Sequence, residues 1–173
     1  MADFYVNSNG SATAPYETRA KGIATLKALI DAAVIADTDT IYFSDDGQID
    51  DSGAALPDIN YKVLLKPDPL NTGMPEIKVS PTLQAIYNAS QFYDISGIKF
   101  IKEADTVSGN FVHLAATTWQ KCLIEGNEFE VIGGSVSNTA IGVEINDAAT
   151  FADSDGQIKR NKFVNVDIDI LIS

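Results

Sequence analysis

Short β-branched and aromatic runs of alternating polarity recur through the second half of the chain, between Phe92 and Ser173. One pattern reads Ile95-Ser96-Gly97-Ile98-Lys99-Phe100, then Ile124-Glu125-Gly126-Asn127-Glu128-Phe129, then Ile158-Lys159-Arg160-Asn161-Lys162-Phe163, at spacings of 29 and 34 residues. A second pattern keeps time with it: Phe111–Leu114, Ile141–Ile145 and Ile168–Ile172. No helical periodicity separates the runs. Repeats of 20–50 residues mean solenoids, propellers or arrays. Strand repeats without intervening helices favour an all-β solenoid whose coils stack about 4.8 Å apart. In-register coils place equivalent side chains over one another, and period-two alternation fixes the face each takes. The spacing therefore predicts two inward stacks, Ile95/Ile124/Ile158 and Phe100/Phe129/Phe163. It also predicts an outward charge ladder, Lys99/Glu128/Lys162, with Glu125 over Lys159.

In the first part of the chain, Phe4-Tyr5-Val6 reads as a strand and Asn7–Gly10 as a polar loop. Apolar residues at steps of three and four (Ile23, Leu26, Leu29, Ile30, Ala33, Val34) predict one amphipathic helix over Arg19–Ala36. Thr40–Phe43 opens the first clear strand, and Asp45–Pro57 is loop-like. Tyr61–Leu65 and Glu76–Val79 read as strands among proline breaks. The variable loops of the repeats are Glu103–Asn110, Ile132–Asn138 and Asp147–Asp155. One domain follows, 1–173: residues 1–40 form a strand and capping helix, and 41–173 form about five coils. A helix across the first coil covers apolar side chains and a strand edge that an uncapped end exposes.

Two stretches resemble the pectate-lyase-like right-handed parallel β-helix superfamily. The first is Phe4-Tyr5-Val6 with Asn7–Gly10, then Thr25–Ala33, then Asp39-Thr40-Ile41-Tyr42, similar to that superfamily's opening strand, cap helix and Asp-Thr-Ile strand. The second is Ile-x-x-Asn-x-Phe. In such folds an asparagine at the tight bend stacks on that of the next coil; Asn127 and Asn161 fit the position, and Ile98 departs from it. The resemblance implies a right-handed parallel β-helix. It leaves activity open, because lyases, hydrolases, adhesins and bacteriophage appendages share the fold.

The chain carries a net charge of −12 and two arginines, Arg19 and Arg160. It shows no clustered cations of the kind a nucleic-acid surface requires. The N-terminus has neither the basic nor the apolar region of a signal peptide, and no apolar run approaches a membrane span. Cys122 is the sole cysteine, which leaves no internal disulfide and reads as a core thiol.

Candidate chemistry is sparse. The resemblance implies an Arg or Lys base with calcium for lyases; Arg160, in the bend before Asn161, reads more simply as a solvated turn residue. Asp167 and Asp169 share a strand face about 7 Å apart, a spacing that permits glycosidase chemistry but belongs to any strand with one wet face. Asp45-Asp46-Gly47 and Asp153-Ser154-Asp155-Gly156 set carboxylates beside a turn glycine. Neither completes an EF-hand loop, so solvated loops are the first reading and calcium the alternative. His113 reads as a surface or core histidine, Trp119 as a packing residue, and Asn88-Ala89-Ser90 as a chance sequon. No catalytic, cofactor or metal residue is assigned.

The sequence thus points to a non-enzymatic structural protein of a virion, assembled in the host cytoplasm: a bacteriophage capsid-decoration, fibre or tail-appendage protein. The grounds are the missing signal peptide, the short chain, the lack of Arg and Lys clusters and a C-terminus inside a strand. The alternative is a polysaccharide lyase or hydrolase, or the N-terminal fragment of one. Ile168, Ile170 and Ile172 are expected to face inward and leave an open apolar end. That end takes a second copy, another virion protein or a further domain; a homotrimer is what the resemblance implies.

Overall fold

The computed structural model describes residues 1–53, 63–83, 86–88, 93–114, 123–145 and 156–172. Its strands are β1 (Asp3–Val6), β2 (Thr40–Phe43), β3 (Ile49–Asp51), β4 (Val63–Pro67), β5 (Glu76–Val79), β6 (Ile86–Asn88) and β7 (Tyr93–Ser96). They continue as β8 (Lys99–Leu114), β9 (Leu123–Glu125), β10 (Glu128–Ile145), β11 (Gln157–Lys159), β12 (Lys162–Val164) and β13 (Ile168–Ile172). One helix, α1 (Leu26–Asp31), follows a short 3-10 turn at Arg19–Lys21. Among the described residues no helix is long and apolar enough to cross a membrane.

The fold is all-β with parallel sheets. The first sheet has the order β1-β2-β4-β7-β9-β11, and the second runs β3-β5-β8-β10-β12. Strands β6 and β13 pair with the far halves of β8 and β10 and form a third strip. From β2 onward each pass of the chain adds one strand to each sheet, so equivalent residues of successive passes meet side by side. In the first sheet Phe4, Ile41, Leu65, Ile95, Ile124 and Ile158 form one continuous inward column. In the second, Ile49, Ile77, Phe100, Phe129 and Phe163 do the same. Ile95, Ile124 and Phe129 are fully buried and Phe100 nearly so, while Ile158 and Phe163 are half-buried in the last pass. The phenyl rings stack at 5.5 and 5.3 Å with small interplanar angles. Both predicted inward stacks are therefore present.

Outward positions form the predicted ladder. Lys99 Nζ lies 3.5 Å from Glu128 and 2.8 Å from Glu130, and Lys162 Nζ lies 2.9 Å from Glu128. Glu76 extends the row at 3.4 Å from Lys99, and Glu125 meets Lys159 at 3.6 Å and Arg160 at 3.1 Å. The bend before each ladder is held by asparagine. Asn127 Nδ2 donates to the Ile95 carbonyl and its Oδ1 accepts from Ile98 N–H. Asn161 repeats the pattern: its Nδ2 donates to the Ile124 carbonyl, and its Oδ1 accepts from Asn127 N–H and Nδ2. Gly97 and Gly126 take the left-handed backbone this bend requires; Arg160 takes it in the last pass.

Three readings of the sequence need correction. The expected helix Arg19–Ala36 is only α1. Gly22 leaves the helical region, and Ile23 pairs with β1, donating N–H to Tyr5 and accepting from Asn7. Residues serving as strand partners cannot also turn as helix. At the far end Ala33 has a left-handed φ of 52°, and Val34 is exposed. Leu26 and Leu29 still bury fully, and Asp51 of β3 caps the helix through Leu26 and Lys27 N–H. Second, Glu103–Asn110 and Ile132–Asn138 are not loops but parts of β8 and β10, with an irregularity between Gly133 and Ser137. Third, the strand expected at Tyr61–Leu65 is observed as Val63–Pro67, with Tyr61 and Lys62 outside the described residues. The loop Asp147–Asp155, Cys122 and Trp119 also lie outside them.

Candidate functional site

The most highly built polar cluster surrounds Arg19, where the corner after β2 meets the corner after β4. The 3-10 turn brings the guanidinium against both. Its Nε donates to Asp46 at 2.8 Å, Nη2 to Asp45 at 2.8 Å, and Nη1 to Asp68 at 3.2 Å and Asn71 at 2.9 Å. Nη2 also reaches the second Asp46 oxygen, making that pair bidentate. Asn7 joins the group by donating to the Arg19 carbonyl and to Asp46. The other Asp45 oxygen accepts from Thr72 N–H, Thr72 hydroxyl and Gly73 N–H. Asp45 therefore fastens one corner to the next.

These contacts set the ionisation. Arg19 holds the Asp45 carboxyl well below the usual carboxylate range, helped by Gly73 N–H, and lowers Asp46 in the same way. The carboxylates in turn raise the Arg19 pKa, Asp46 first. The alternative of calcium at Asp45-Asp46-Gly47 meets the Arg19 guanidinium, which already bonds both carboxylates. Among the described residues no group of three or more His, Cys, Asp or Glu is arranged to hold a metal. Beside the cluster lies a cavity of about 330 Å³ whose walls include Asp45, Gln48, Thr72, Met74 and Glu76. It presents acceptors and amide or hydroxyl donors. Asp45, already saturated by Arg19 and the 72–73 amides, contributes no basic oxygen to it.

A second buried cation lies inside the fold. Lys102 is inward in β8, between Val79 and Val131, and is fully buried. Its Nζ donates to the carbonyls of Leu83 (2.8 Å) and Ser108 (2.7 Å) and lies 5.3 Å from the Phe111 ring centroid. Burial pushes its pKa down to about 7. Neither Arg19 nor Lys102 was singled out by motif. The available signals were Asp68, one position beyond β4 as Ser44 is beyond β2, and the parity that places Lys102 on the Phe100 face.

The remaining candidates are dispersed. Arg160 is a solvent-facing turn residue, its side chain 80% exposed, paired with Glu125. Asp167 is exposed, and its N–H donates to the Ala140 carbonyl. Asp169 lies in β13, but its side chain is outside the described set. His113 is in β8, with Nε2 3.9 Å from Glu144. Asn88 ends β6, and Ala89-Ser90 lie outside the described residues. Asp153–Asp155 also lie outside them, while Gly156 immediately precedes β11. Among the described residues, the structure brings none of these together.

The edge formed by β11, β12 and β13 has a different character. Each is last in its sheet among the described residues. Ile170 continues the inward column Ile86–Val112–Val143, yet it is 44% exposed, and Ile168 is 38% exposed. Ile158, Phe163 and Val166 are half-buried beside them. The expected apolar edge is present for Ile168 and Ile170; the side chain of Ile172 lies outside the described set.

No family model, curated protein or solved structure matches this chain.

Proposed function

We propose that the chain is a right-handed parallel β-helix of about five coils and a non-enzymatic structural protein of a virion, of the bacteriophage capsid-decoration, fibre or tail-appendage kind. It joins its particle through the β11–β13 edge, either by self-association, with a homotrimer as one form, or against another virion protein. Right-handed winding is the rule for parallel crossover connections, and the pass-by-pass addition of parallel strands supports it. The observation that carries the functional reading is that edge. Inward-column side chains at Ile168 and Ile170 are open beside strand edges that no described strand pairs, a surface that favours association with a further segment or chain. The faces support a scaffold role: outward charges of the second sheet pair with each other along the stack.

The test is to label this chain and image purified particles, alongside an assay of the isolated protein against capsular and plant polysaccharides. Label at a regular particle position, with no cleavage, is the expected result. Sustained cleavage that persists through purification would overturn the structural reading in favour of a lyase or hydrolase.

A further inference from the structure

The loop after β1 contains the only Asn-Gly pair of the chain, Asn9-Gly10. In such a pair the glycine nitrogen, once it has lost its proton, can attack the preceding side-chain amide carbon, because no side chain on the glycine hinders the approach. Asn9 is exposed, so water reaches it and ammonia can leave. In the folded chain the atoms of this reaction are engaged elsewhere. The Gly10 N–H donates to the Asn7 carbonyl at 2.9 Å, and the Asn9 N–H donates to Asn7 Oδ1 at 2.9 Å. Asn9 Nδ2 donates to the Asp46 carbonyl at 2.7 Å. Gly10 also packs without spare room: a Cβ there would lie 2.1 Å from the Gly22 carbonyl oxygen.

The Arg19 cluster is what holds this loop. Arg19 binds the Asp46 carboxylate through Nε and Nη2, and Asn7 Nδ2 donates both to that carboxylate and to the Arg19 carbonyl. Asp46 therefore has its carboxylate on Arg19 and its carbonyl on Asn9. The guanidinium fixes the very residue whose carbonyl immobilises the Asn9 amide.

We propose that Asn9 is a site of spontaneous deamidation, gated by local opening of the Arg19-held corner. On opening, the Gly10 nitrogen gives its proton to solvent and bonds to Asn9 Cγ, and the Cγ–Nδ2 bond breaks with release of ammonia. Water then opens the resulting cyclic imide at either carbonyl, leaving aspartate or isoaspartate at position 9. In sum one water is taken up and one ammonia is released. Neither product restores the loop. Both put a carboxylate, ionised at neutral pH, where a donor to the Asp46 carbonyl had been. Isoaspartate also adds a methylene to the main chain where Gly10 meets Gly22. The conversion is therefore one-way, and it leaves the loop after β1 unfastened from Asp46.

The experiment incubates the folded full chain in mildly alkaline buffer and digests samples with pepsin at acid pH. The amide, aspartate and isoaspartate forms of the peptide are separated by mass and chromatographic retention. The urea-unfolded chain gives the unprotected rate. Folded wild type is expected to convert at Asn9 at least about a hundredfold more slowly than the unfolded chain. Arg19→Ala is expected to convert at least about tenfold faster than wild type. Arg19→Lys, which keeps the charge and loses the fork, is expected to fall between them. Phe129→Ala, a change in β10 outside this corner, is expected to leave the rate as in wild type. Circular dichroism checks that each variant is folded; should Arg19→Ala not fold, Arg19→Lys carries the comparison. Equal rates in folded and unfolded wild type would overturn the gate, as would a folded Arg19 variant that converts no faster than wild type. Equal acceleration by Phe129→Ala would make global unfolding the gate and overturn the local one. An unfolded chain that converts at other asparagines while Asn9 stays intact would overturn the site itself.

Discussion

Replacing Phe129 with alanine tests the stacking on which the rest of the fold depends. The ring is fully buried in the middle of its column. It stacks on Phe100 at 5.5 Å and Phe163 at 5.3 Å, and a tilted Phe111 sits at 5.5 Å. Truncation removes all three neighbours at once, in a place the flanking passes cannot collapse into without losing strand register. A loss of about 3–5 kcal/mol is expected, of which each ring pair contributes about 0.5–1.5. Phe163 occupies the same column one pass later, half-buried and with its outer face uncovered by any described pass. Phe163→Ala should therefore cost about 1–2 kcal/mol, nearer the transfer of half a side chain. The comparison is made by urea unfolding followed with two probes, since repeat arrays can lose two-state behaviour. With a slope of about 2 kcal/mol per molar, Phe129→Ala should lower the midpoint by about 2 M and Phe163→Ala by less than half of that. Equal losses at the two positions, or a Phe129→Ala loss under about 1 kcal/mol, would refute the column.

Arg19→Ala should cost about 2–4 kcal/mol by leaving Asp45, Asp46 and buried Asp68 facing one another. Thermal melts should show calcium recovering part of that loss in the variant while leaving the wild type unchanged; equal stabilisation of both would count against the guanidinium as the resident cation. Lys102 has its folded pKa pushed down to about 7, against about 10.4 in an unfolded chain, so the folded state holds fewer protons between those values. Stability should then rise from about pH 7 to about pH 10, by at most about 1.4 kcal/mol per pH unit, and Lys102→Met should flatten that rise in urea titrations. Asn127→Ala strands the buried Ile98 N–H and Ile95 carbonyl. It should cost about 2–4 kcal/mol and speed hydrogen exchange at the Ile98 amide, with Asn161→Ala milder.

The columns were legible in the sequence because a parallel stack puts equal residues at equal heights. Ile95 with Ile124, Phe100 with Phe129 and Lys99 with Glu128 needed only the repeat and its parity. The helix was misjudged because its apolar spacing fits two structures, and main-chain pairing of Ile23 with β1 decided between them. The long strands β8 and β10 were missed for a related reason. Glu103–Asn110 is rich in small and polar residues, yet in a parallel stack the neighbouring pass supplies the hydrogen bonds whatever the side chains are. The Arg19 cluster draws on segments around Asn7, Asp45, Asp68 and Asn71, which no local pattern links.

Lys102 shows that alternation assigns a face and not a polarity. A lysine on the Phe100 side enters the interior regardless, and the chain accommodates it with two carbonyls and a ring in place of a carboxylate. The outward charges follow the opposite logic. Lys99, Glu128, Glu130 and Lys162 neutralise one another along the second sheet, so burying that face against a neighbour would desolvate a network already satisfied in water. Apolar side chains stay open at Ile168 and Ile170 of the β11–β13 edge, and also at Val34, Leu70, Met74, Leu83 and Ile132. A contact at the β11–β13 edge, where Ile168 and Ile170 are open, would therefore cost less polar desolvation than one that set two second sheets side by side.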